Sequence, residues 1–165
     1  MKILHVCYNN GGGGADIAAS RIHRALVQDG QHSTFLCCRV SQVLPNCICV
    51  NGKTKLFINK VKNQIVRNSL RLLKSNSDAI NIFPSGLHKI INQQDADIVH
   101  LHYVCAEMIS IEEIARIEKP IIWTMPDLWA CLGSNSYYQS KKLPMIEGFQ
   151  YTYKPHVFLP DVDRW

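Results

Sequence analysis

Four consecutive glycines, Gly11–Gly14, stand between a short run of strand formers and a helical repeat, and they constrain this chain more than any other feature. The run before them, Lys2–Cys7, reads K-I-L-H-V-C. The segment after them places Ile17, Ala18, Ile22, Ala25 and Leu26 on one broad helical face, and Gly30 ends it as a C-terminal glycine does. Glycine lacks Cβ, so its backbone can turn tightly and lie against a ligand, and a helix N-terminus behind it offers free amides to a phosphate. Gly11, Gly12, Gly13 and Gly14 are therefore candidate substrate-binding residues. The alternative is a plain turn between strand and helix.

Neither common nucleotide fingerprint fits. No G-K-[ST] follows the glycines. The third position of G-x-G-x-x-G is Asp16 when counted from Gly11 and Ile17 when counted from Gly12. The acidic ribose-binding residue expected further on is missing, because the second strand runs into Cys37-Cys38-Arg39. A nicotinamide or flavin cofactor is disfavoured.

Further strands are expected at Ser33–Cys38, Cys47–Val50, Asp97–Tyr103 and Ile121–Thr124. Asp78–Phe83 reads equally as a strand or a turn. A short helix is expected from Pro84-Ser85 to Ile91 with Ser85 as N-cap. Another begins at Ser110-Ile111-Glu112-Glu113, a capping box, and stops before Lys119-Pro120. This alternation predicts an α/β fold with a doubly wound parallel sheet. Residues 1–132 read as one domain and 133–165 as an irregular tail, since Gly, Ser, Asn, Tyr and Pro dominate Gly133–Pro160.

His100 and His102 alternate along one expected strand and so share a face. Such a pair can bind a metal or position a substrate; alternatively, both are packed and hydrogen-bonded. His102 lies nearer the carboxyl end, where open α/β sheets bind ligands, and is the stronger candidate. His5, in mid-strand, reads as a satisfied core histidine. Asp127 and Trp129 leave the last strand at the same edge and suit a sugar, by hydroxyl hydrogen bonds and ring stacking. Capping for Asp127 and core packing for Trp129 are the alternatives. Ser20, Cys7 and Cys105 have no nucleophile motif around them.

Composition narrows the partners. The seven cysteines lack the paired spacing of a zinc site, so no metal is expected from them. They follow no export signal and read as reduced, and no apolar run is long enough to span a bilayer, so the expected location is cytoplasmic or peripheral. Net charge is +5, and Lys53–Lys74 holds seven Lys/Arg with no Asp or Glu. A basic amphipathic helix suits an anionic membrane surface. An ordinary surface helix is the alternative, and nucleic acid is not expected, since no aromatic interleaving accompanies the charge.

Several segments together resemble a known family. K-I-L-H-V, the glycine loop, Ala15–Leu26, Asp95–Tyr103, Ser110–Thr124 and Asp127–Ala130 are similar, in order, to the start of family-4-type glycosyltransferases of the GT-B fold. The likeness is closest to the branch building colanic acid and other bacterial surface polysaccharides. The segments that carry it make up 49 of the 165 residues. It implies the N-terminal, Rossmann-like, acceptor-side half of a two-domain enzyme, with the second domain lying beyond this chain. It also implies a nucleotide-sugar donor, no other cofactor, metal-independent retaining transfer, and a saccharide or lipid-linked acceptor. The isolated chain is then expected to be inactive. The family pattern W-T-x-H-D-x-W has a histidine where this chain has Pro126, which can neither donate nor carry a proton.

Overall fold

The computed structural model describes residues 1–50, 58, 61–62, 64–66, 68–69, 81 and 83–127. These form an α/β fold in the order β1 (Lys2–Asn9), α1 (Gly14–Gln28), β2 (His32–Arg39), β3 (Cys47–Cys49), α2 (Leu87–Gln93), β4 (Ile98–Leu101), α3 (Ile111–Ile114) and β5 (Ile121–Trp123). All five strands are parallel in one sheet of order β3-β2-β1-β4-β5. Described helical residues also occur among 58–69, within the basic stretch. The rest of that stretch, Trp129 and the 132/133 boundary lie outside the described residues.

Alternation along the strands divides the core. Leu4, Val6, Leu36, Val99 and Leu101 point to one face and pack with Leu87, Ile91, Met108 and Ile109. Cys7, Phe35 and Cys37 point to the other face, where Ala19 of α1 joins them. At α1 the structure corrects the sequence reading. The buried side chains are Asp16, Ala19, Ser20 and His23, while Ile17 and Ile22 of the apolar face are exposed. Polar groups on the sheet side select this orientation. Ser20 Oγ donates to Asn10 O at 2.6 Å. His23 Nε2 donates to Pro45 O at 2.8 Å and Nδ1 meets Ser33 Oγ at 2.7 Å.

Gly30 has φ +75°, with Gly30 N bonded to Val27 O and Gln31 N to Leu26 O, the paired bonds of a Schellman stop. The Ser110–Glu113 capping box forms in full. Ser85 is not the N-cap of α2; Gly86 is, at φ +76°. Ser85 is drawn instead to Glu113, although its Oγ still accepts from Leu87 N. β4 ends at Leu101 rather than Tyr103, just before a turn holding Ala106 and Glu107 at φ +60° and +57°.

Candidate functional site

Because every strand is parallel, the glycine loop after β1, His102 after β4 and Asp127 after β5 share the carboxyl edge of the sheet. The order β3-β2-β1-β4-β5 reverses direction between β1 and β4. Open α/β sheets bind ligands in the crevice at such a switch point.

The glycine loop is held from below. Asn10, wholly buried, accepts the amides of Ser41 and Gln42 at 2.7 and 3.1 Å and donates to Gln42 O at 2.8 Å. Gln42 Nε2 in turn donates to Asn10 O. A Cβ on Gly12 would stand 2.2 Å from Asn9 Nδ2 and 3.0 Å from Asp16 Oδ2, so any larger residue here would have to displace those side chains. Among the described residues Gly14 has nothing within 4 Å of such a Cβ, and Gly13 only Asp16 Oδ2 at 3.9 Å. Among the described residues the space over Gly13 and Gly14 is open.

Asp16 faces the loop from the first turn of α1, where a carboxylate suits the helix dipole. Its Oδ1 accepts the Cys7 thiol at 3.3 Å. Burial raises its pKa, against the opposing pull of that thiol and of the Gly13, Gly12 and Asn9 amides. Burial first, and the Asp16 charge second, push the Cys7 thiol up to about 12, so it is no nucleophile at neutral pH.

At β4 and β5, His102, Cys105, Trp123, Pro126 and Asp127 line a small cleft. Trp123 Nε1 donates to His102 O at 3.3 Å. Burial, then the Asp127 charge, raise the Cys105 thiol to about 12. His102 is 3% exposed, so its ring belongs to the sheet face more than to the cleft mouth. His102 Nε2 lies 2.9 Å from His5 Nδ1, and the His100 and His102 ring centroids are 4.0 Å apart. Burial, reinforced by the neighbouring rings, lowers both His5 and His102 to about 3. His100, half-buried, meets Thr124 Oγ1 at 2.8 Å through Nε2. His5 is in the core as expected, but its Nε2 has no hydrogen-bond partner among the described residues.

Comparison with known proteins gives no matching family model, no matching curated protein and no matching solved structure. The functional reading therefore stands on sequence pattern and geometry.

Sequence reasoning singled out the glycines, His102 and Asp127, and the fold gathers them at one edge. It passed over Asn10 and Asp16, although an Asn-Asn pair before the glycines and an acid directly after them were visible signals. It read Glu113 only as part of a cap. Glu113 is buried and also accepts from Ser85 N and Oγ, Gly86 N and His88 Nδ1. Burial opposes its charge, but those donors outweigh it and hold the carboxyl near 2. Its partners lie on α2 and the loop before it, so its role here is architectural.

Proposed function

We propose that this chain is the N-terminal, acceptor-side domain of a GT-B glycosyltransferase acting in surface polysaccharide synthesis. In this reading it helps move a sugar from a nucleotide-sugar donor to a saccharide or lipid-linked acceptor. One observation carries the reading beyond resemblance. The glycine loop and His102 flank the switch point between β1 and β4, with Asp127 one strand further along the same edge. The open space over Gly13 and Gly14 supports a ligand there, since no described neighbour needs glycine at those positions. The basic segment Lys53–Lys74 would hold the domain against an anionic membrane bearing a lipid-linked acceptor. Among the described residues no helix is long and apolar enough to cross a membrane.

A second reading, a non-catalytic binding module on the same sheet, is favoured by Pro126 and by Asp16. Proline removes the polar group that the family pattern places there. Asp16 brings a carboxylate to the loop amides that a phosphate would use. The deciding experiment joins this chain to the donor-binding domain of a related glycosyltransferase and supplies labelled nucleoside diphosphate sugars with saccharide and lipid-linked acceptors. Transfer that falls at least tenfold in Asp127→Asn, with the fold retained, supports the transferase. Saccharide binding without transfer supports the module.

A further inference from the structure

Three histidine rings converge on the sheet face that α1 covers. Parallel pairing sets His5 of β1 opposite His100 of β4, and the two-residue period brings His102 to the same side. One ring nitrogen from each lies within 4.8 Å of the other two. Nitrogens bound at about 2.0–2.1 Å to one tetrahedral ion are separated by about 3.4 Å, within small ring rotations of this arrangement.

A purely structural network would satisfy every buried nitrogen. This one leaves His5 Nε2 without a partner among the described residues, in a residue with no exposed surface. The nearby ring of His23 is excluded from the set, since Ser33 and Pro45 occupy both of its nitrogens. Cys7, the next residue of β1 on this face, gives its thiol to Asp16. Among the described residues the ligand set is therefore imidazole alone.

We propose that His5, His100 and His102 form a three-histidine site for a divalent cation of the zinc class, with a fourth position left for water or another ligand. Imidazole favours zinc, copper and nickel over magnesium and calcium, and three histidines with an open position is a known zinc arrangement. Half-buried His100 gives the side of approach, and Thr124 Oγ1, at 2.8 Å, is the oxygen that steadies its ring. The inference does not depend on the transferase reading.

The test is titration of the whole chain, kept reduced, with Co²⁺ and then Zn²⁺. One Co²⁺ per chain is expected, with the visible absorption of a four-coordinate ion, no near-ultraviolet thiolate band, and displacement by Zn²⁺. Changing a direct ligand, His100→Ala, should weaken binding by about a hundredfold, and Thr124→Val by about tenfold, without lowering the melting temperature of the metal-free chain. A paired Cys37→Ser/Cys47→Ser variant should bind as the parent does. A thiolate band, loss of binding in the cysteine variant, equal affinity in His100→Ala, or no stoichiometric binding would each overturn the site. Should His100→Ala fail to fold, Thr124→Val and the cysteine variant still decide, because Thr124 is exposed.

Discussion

Glu113 Oε2 accepts both the amide and the hydroxyl of Ser85 at 2.8 Å, so one side chain of α3 closes the loop that leads into α2. Its other oxygen takes Gly86 N and His88 Nδ1. A short capped turn thereby anchors a segment more than twenty residues earlier in the chain.

This carboxylate sets an acid limit. Its folded pKa, near 2, lies below the ordinary 4.5, so its contribution is complete above 4.5 and is lost as pH falls from 4.5 toward 2. Glu113→Gln should cost about 3 kcal/mol at neutral pH, since it removes a buried charge from donors arranged to meet it. Thermal melts between pH 7 and pH 3 should show a steep acid limb in the parent and a shallower one in the variant. Parallel limbs would refute this role.

The glycines should separate by what each meets. Gly12→Ala forces a Cβ to 2.2 Å from Asn9 Nδ2 and should destabilise by about 1–3 kcal/mol in urea unfolding. Gly14→Ala lies in open space at the start of α1 and should stabilise by about 0.4–1 kcal/mol. On the transferase reading the same Gly14→Ala weakens nucleotide-sugar or acceptor binding in the fused enzyme, so stability and binding move in opposite directions. Binding that survives unchanged would remove Gly14 from the site.

Pro126 tests the chemistry. In the fused enzyme Pro126→His should raise transfer by tenfold or more if the missing side chain limits the reaction, in line with a general acid–base group worth about 10²–10⁴. Equal rates with proline and histidine would show that this position does not limit transfer.

The basic segment should bind vesicles only when they carry anionic lipid, and salt should weaken that binding. Lys62 Nζ sits 5.6 Å from the Phe83 ring centroid, and Ile58, Val61 and Ile65 are exposed nearby on the same segment. Exchanging Lys60, Lys62 and Arg67 for Glu should abolish co-sedimentation. Equal binding to neutral vesicles would return the segment to an ordinary surface helix.

The strands were legible because apolar β-formers between turn residues have a strong local signature. Gly30 and the Ser110–Glu113 box were legible for the same reason: their partners lie within a few residues. What escaped depends on distant pairing. The meeting of His5 with His102 needs β4 beside β1, across ninety-seven positions of sequence. Ser85 lost its expected capping role to Glu113, twenty-eight positions away. The buried face of α1 was misread because hydrophobicity favoured Ile17 and Ile22, whereas hydrogen bonds to Asn10, Ser33 and Pro45 decided its orientation. Of the candidate site, the edge and the His100–His102 pair were readable; the joining of His5 to that pair was not.

The strand order also sets the order of assembly. β1 is made first yet lies at the centre, and its two neighbours begin at His32 and Ile98. β1, α1 and β2 can close as a local unit, whereas pairing with β4 must wait for residues 50–97, and longer closures cost more entropy. During synthesis one edge of β1 therefore stays bare, with Leu4 and Val6 beside it, until Ile98–Leu101 emerges. Amides of β1 and β2 should gain protection in pulsed hydrogen exchange before those of β4 and β5, and aggregation during refolding should start from that waiting edge.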